Sequence, residues 1–186
     1  MMHMWSRRVP LASIWGFKMK PTIYCGCDNG VTATWGIVGD NFPSLFFKVP
    51  TFKQLSFQKT KPKNISRIDI NKLRDILIPL SRKYSVRAFL ERPMINSARF
   101  SASLSAVRAL EVTLVVFEEL EIPYDYLDSR AWQHDLLPNG TKGSEMLKSA
   151  SKDVGIRFFP EHKALITKHK DADGILIAEY ARRHKL

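Results

Sequence analysis

The sequence predicts an α/β fold, a mixed sheet of three antiparallel strands followed by parallel strands and flanked by helices. Three observations carry this. The chain opens with short strand-like runs, and the first two are separated by Asn29-Gly30, a hairpin turn signal. Beyond residue 70, stretches of helical period alternate with short apolar runs, the pattern of strands joined by helices. Finally, 186 residues that are 45% hydrophobic suffice for one core and fall short of two comfortable domains.

Residues 22–27 form the first expected strand, which carries both cysteines. Cys25 and Cys27 are two apart and share a face, with Cα atoms roughly 6.6 Å apart. That is near the upper limit for a disulfide, so two ordinary reduced thiols are expected, in keeping with a reducing compartment. Residues 31–38 return as the second strand and 44–49 as the third. Residues 48–74 hold eight Lys or Arg against one acid, Asp69. Within them, 53–66 lack periodicity and read as a basic surface loop. Phe52 and Phe57 there suit stacking on nucleic acid, and a plain solvated connector is the other reading.

Ile70, Leu73, Leu77 and Leu80 recur at helical spacing, predicting a helix up to Lys83. Residues 86–90 suit a buried strand, with Glu91 at its end. Leu104, Val107, Leu110, Leu114, Phe117 and Leu120 mark a long helix over 101–120. Val112, Val115 and Val116 widen its apolar surface, leaving a second face for another subunit or for the monomer's own interior. A strand over 122–127, helices over 130–136 and 142–154 and a closing helix over 171–183 complete the order. The domain is expected to span 19–186. Residues 1–18 carry two arginines and no acid and read as an extension outside its core, their apolar part being short for a targeting peptide. No run of about 18 apolar residues occurs, so no membrane helix is expected.

A formal net charge of +11 favours a polyanionic partner: DNA, RNA or an anionic membrane surface. Against that background the acids stand out. Carboxylates repel phosphate unless a cation lies between them, and Mg²⁺ takes oxygen ligands, including carboxylates and substrate phosphate. Two such ions can activate water and stabilise a leaving oxygen. The candidates are Asp28 and Glu91 at strand ends and Asp171 and Asp173 at the start of the last helix. Singly, Asp28 reads as a turn residue, Glu91 as a solvated strand end and Asp171 as a helix cap. Asp173 singly reads as a first-turn acid facing the helix dipole.

Four segments, CGCDNG at 25–30, FLERP at 89–93, DSRAWQHDLLP at 128–138 and HKDADGILIAEYARR at 169–183, occur in an order and spacing that resembles the RuvC-type Holliday junction resolvases. These belong to the ribonuclease H-like superfamily, and the last segment is similar to the closing helix of its phage and organellar members. The resemblance implies a ribonuclease H-like sheet. It makes Asp28 and Glu91 the first two metal ligands, Asp173 the final acid, and places a fourth ligand one helical turn earlier. If the closing helix already includes His169, that residue shares a face with Asp173; if the backbone is irregular there, Asp171 turns in instead. Mg²⁺ prefers the carboxylate, and His169 would then orient or deprotonate water.

The resemblance also implies two Mg²⁺ ions per site, with Mn²⁺ as a substitute, and a homodimer placing one site on each of two opposed strands of a four-way junction. The products would be paired nicks with 5′-phosphates. The segment after Glu91, including Arg99, would meet the junction centre, with Met94 as an apolar wedge and Phe100 as its rival. For either, a buried loop anchor is the ordinary alternative. Arg130, Lys142 and Lys148 would hold phosphates, whereas Gln133 stands where the family usually has lysine. The expected setting is the cytoplasm of a bacterial or phage-infected cell, with organelle targeting by residues 1–18 as the alternative. A flap or fork nuclease of the same superfamily and a non-catalytic nucleic-acid-binding protein remain as rival readings.

Overall fold

The computed structural model describes residues 19–57 and 63–186, so the expected N-terminal extension lies outside the described residues. The elements are β1 (Thr22–Cys27), β2 (Thr34–Gly39), β3 (Phe42–Lys48), β4 (Thr51–Leu55), β5 (Asn64–Ile68), α1 (Ile70–Lys83) and β6 (Ser85–Glu91). They continue with α2 (Phe100–Glu119), β7 (Tyr124–Leu127), α3 (Ser129–Leu136), α4 (Ser144–Phe158), α5 (Lys163–His169) and α6 (Asp173–His184). Five strands form the main sheet in the order β3-β2-β1-β6-β7. β2 runs antiparallel to both of its neighbours, β1 and β3, and β6 and β7 run parallel to β1.

Strand alternation divides the core into two layers. Ile23, Cys25 and Cys27 face α1 and α2 together with Trp35, Ile37, Ala88 and Leu90. The opposite face receives Phe46, Phe89, Trp132 and the apolar side of α6, Ile175 to Ala178. Burying a side chain such as Leu73 or Ile177 contributes about 2 kcal/mol. The two thiols are free and buried with Sγ atoms 3.7 Å apart, and burial raises the Cys27 thiol well above its ordinary value.

The far end of α6 is fixed by charge. Glu179 is buried and receives Arg182 and Arg183, each Nε at 2.8 Å, while Arg182 also reaches Asp40 at 2.9 Å. Burial alone would raise the Glu179 carboxyl, but the hydrogen bonds from the two guanidiniums outweigh it and hold it below its ordinary value.

Several local expectations need correction. The Asn29-Gly30 hairpin is not a two-residue turn; residues 28–33 form a six-residue connection before β2 begins at Thr34. Its Asn29 amide donates to the Ala106 carbonyl of α2, so the connection serves packing rather than a tight reversal. The stretch 53–66 is not a structureless loop: β4 and β5 pair antiparallel as a separate two-stranded ribbon. A further helix, α5, precedes the closing one, which starts at Asp173 rather than Asp171. Finally, α2 with the turn before it is long and apolar enough to cross a membrane by length and composition alone. One face of it, with Ala109, Val116 and Phe117, is buried in the core, and Val107 and Val115 are exposed.

Candidate functional site

The site lies where the parallel strands end. β1, β6 and β7 present their carboxyl ends on the same side of the sheet, the edge at which open α/β sheets place their ligand sites. Asp28 follows β1 and Glu91 closes β6. At the same edge β2 begins, with Thr34 paired to Lys48 at the end of β3.

α6 begins here because three glycines let its backbone touch the sheet. A Cβ at Gly174 would collide with the Thr34 carbonyl, one at Gly36 with the Ile175 backbone, and one at Gly26 with the Gly174 carbonyl. The segment leading into α6 is broken. Lys170 closes α5 in the left-handed region at φ 56°, and helical structure resumes only at Asp173. His169 and Asp173 therefore do not lie one turn apart on a single helix. Asp171 sits in the break and turns inward. One carboxylate oxygen accepts the Asp173 N–H at 2.8 Å and the other accepts the Thr34 hydroxyl at 3.0 Å.

The four acids feel one another. Burial, then Asp171, Glu91 and Asp173, push the Asp28 carboxyl well above its ordinary value, against one backbone N–H that lowers it. Burial and Asp173, with smaller contributions from Asp171 and Asp128, bring Glu91 up to about 7, although the Ser129 hydroxyl opposes the rise. Burial and Asp171 bring Asp173 up to about 6, offset by the Ser151 hydroxyl, which donates to it, and by Lys148. Among the described residues no three His, Cys, Asp or Glu side chains form a ready-made metal cage. Hydroxyls from β2 and α4 bond two of the carboxylates, Thr34 donating to Asp171 and Ser151 to Asp173. The donor set is all oxygen and short of positive charge, which suits a hard divalent ion.

His169 packs toward Phe46, ring centroids 6.5 Å apart. Burial, Lys168 and Lys48 lower its pKa, and Asp171 opposes them, so the neutral imidazole is favoured beside the acids. Lys148 is the basic candidate felt by an acid of the site. Met94 and Phe100 are 85% and 70% exposed, which removes the buried-anchor alternative for both. They flank a turn pinned by Ser103, whose hydroxyl accepts the Asn96 N–H at 2.9 Å and donates to the Asn96 carbonyl at 3.0 Å. Arg99 is exposed in the same turn. Arg130 in the first turn of α3 and Lys142 ahead of α4 are exposed, and among the described residues neither side chain enters an ion pair with the acids. Sequence reasoning missed Thr34, Ser129 and Ser151, hydroxyls whose residue types carry no signal until the fold points them at an acid.

These pKa values set a pH dependence. Glu91 ionises near 4.5 in the unfolded chain and at about 7 in the fold. Between those values the folded protein keeps a proton the unfolded chain has released, so metal-free stability falls as pH rises through that window. The loss is up to about 3 kcal/mol for Glu91, and Asp173 and Asp28 act in the same direction. Bound Mg²⁺ would relieve the repulsion that ionisation creates. Millimolar Mg²⁺ is therefore expected to raise the Tm more at pH 8 than at pH 5. Equal increments at both pH values would argue against a metal among these acids.

No protein-family model matches this chain, and no curated protein matches it. Solved structures do. The RuvC structure of Thermus thermophilus is similar at a TM-score of 0.50 and 14% identity, over 88% of this chain and 96% of that one. T. thermophilus RuvC in complex with Holliday junction substrate is similar at 0.49 and 14%, over 87% and 96%. At such identity the likeness concerns architecture, and together with the observed strand order it shows that this chain has the ribonuclease H-like fold of RuvC.

Proposed function

We propose that this protein is a metal-dependent endonuclease that cuts branched DNA, with the four-way junction as its principal substrate. The observation that carries this is the gathering of Asp28, Glu91, Asp171 and Asp173 at the carboxyl ends of parallel strands in a chain of net charge +11. Such acids repel DNA on their own and favour it once cations lie between. Mg²⁺ or Mn²⁺, two per site, would supply Lewis acidity and a nucleophilic water at neutral pH. The four carboxylates would hold the ions, with Asp171 as the fourth ligand because Thr34 and the Asp173 N–H aim it into the site. His169, kept neutral, accepts or relays a proton from water. Lys148 offsets charge at Asp173 and meets a phosphate.

Met94 and Phe100 are exposed apolar side chains on the segment that leaves Glu91, suited to separating bases at a branch point. A homodimer is part of this reading. Val107 and Val115 are exposed on α2, and a two-fold axis would place one site on each of two opposed strands. Arg99, Arg130 and Lys142 then belong to the surface that carries the arms.

Labelled synthetic four-way junction, flap and linear duplex substrates, each with and without Mg²⁺, test the proposal. Paired nicks with 5′-phosphates in the junction, dependent on the metal, are expected. Equal cutting of flaps would broaden the substrate class, and binding without any cutting would leave a non-catalytic DNA-binding protein.

A further inference from the structure

The β4–β5 ribbon has a use that the acidic site does not explain. It leaves the sheet at the site's own edge: β3 ends at Lys48 opposite Thr34, which holds Asp171, and the Val49 N–H donates to the Ala33 carbonyl at 3.0 Å. Its base is anchored by buried Val49 and Ile68 and by the Asp69 N–H on the Pro50 carbonyl at 2.9 Å. Beyond Thr51 the β4 strand is exposed, with Leu55 at 65% and Phe57 just past it at 80%. Two isolated strands are marginally stable on their own in water; here β5, half-buried at Ile65 and Ser66, rests against α2 and leaves β4 as the open strand.

Its charge is one-sided. Residues 51–68 contain five lysines and arginines and no acid. Among the described residues, Lys53 and Lys63 enter no ion pair, and Arg67 is bound only to the neutral Gln54 at 3.0 Å, across the strand from Phe52. A free cationic ribbon complements a phosphate backbone. It does not complement a second copy of a chain whose own net charge is +11.

We infer that the β4–β5 ribbon is a DNA-gripping arm, in which Lys53, Lys63 and Arg67 hold the phosphate backbone of a duplex arm leaving the active site. The inference rests on the nuclease reading for its substrate but not for its chemistry, since phosphate contacts position DNA whether or not it is cut.

The test compares wild type with the triple variant Lys53→Gln, Lys63→Gln, Arg67→Gln. Each binds a fluorescent four-way junction in EDTA at 50 to 200 mM KCl. Three lost phosphate contacts make the slope of log affinity against log salt shallower by about 2.7. Over that fourfold range wild type therefore loses about 40-fold more affinity than the variant. The charge-preserving variant Lys53→Arg, Lys63→Arg is expected to keep the wild-type slope, which separates charge from folding. An unchanged slope in the triple variant overturns the arm, as does conversion from dimer to monomer without a slope change, which would make the ribbon a subunit contact. Cutting assays on wild type, run in parallel, separate the two readings. A flattened slope without metal-dependent cutting keeps the arm and removes the nuclease; cutting with an unflattened slope does the reverse.

Discussion

Replacing Asp28 with asparagine is expected to lower junction cutting by more than about 100-fold while raising the melting temperature of the metal-free protein at pH 8. Partners of metal ligands cost 10- to 100-fold when removed, so about 100-fold is a floor for a ligand itself. The opposite effect on stability follows from the same geometry. Asp28 is pushed well above its ordinary pKa, first by burial and then by Asp171, Glu91 and Asp173. At pH 8 its ionisation therefore opposes folding. Asparagine keeps the shape and can still accept the Asn29 N–H, but it removes the charge that the other acids repel. A gain in stability with a loss of activity is the trade expected where function requires an uncomfortable cluster. The decisive pair of measurements is a Tm in EDTA and a cleavage rate in Mg²⁺. Unimpaired cutting removes Asp28 from the chemistry; a fall in both Tm and cutting points to a folding defect.

Legibility in the sequence followed the range of each interaction. Period-2 and period-3.6 patterns are local, and they delivered the mixed sheet, the long α2 and the strand-end positions of Asp28 and Glu91. The β4–β5 ribbon was not legible, because its outward side chains meet solvent on both faces and leave no alternation of apolar with polar residues. Nor did spacing show that the helix breaks between His169 and Asp173. The break comes at the left-handed Lys170, a lysine in a conformation that its residue type does not announce. Thr34 and Ser151 lie 137 and 22 residues from the acids they serve. Nothing in a hydroxyl's neighbours in the chain tells which distant carboxylate it will meet. The glycines at 26, 36 and 174 were visible as letters, but their meaning is a contact between elements, which only the packed helix supplies.

Gly174→Ala is the substitution for which propensity and packing predict opposite signs. In a helix interior, exchanging glycine for alanine gains up to about 1 kcal/mol. In this fold the new Cβ would collide with the Thr34 carbonyl and stand 2.6 Å from the Trp35 Cα. Both obstacles are backbone, so no rotamer change can clear the space and α6 must lift from β2. Overpacking of this kind costs 1–3 kcal/mol and occasionally more. The rigidity of both partners puts it at the upper end, about 3 kcal/mol, so sterics win. In a chain of this size that is a fall in Tm of roughly 6–12 °C. Cutting should fall further than the loss of folded protein explains, even well below the new Tm. The lifted helix would carry Asp173 away from Glu91 and loosen the hold of Thr34 on Asp171. Thermal melts and cleavage rates at 20 °C read the two effects separately. A higher Tm in the variant would mean that α6 does not rest on the sheet here, and the acids at its start would then lack the support that brings them to the strand ends.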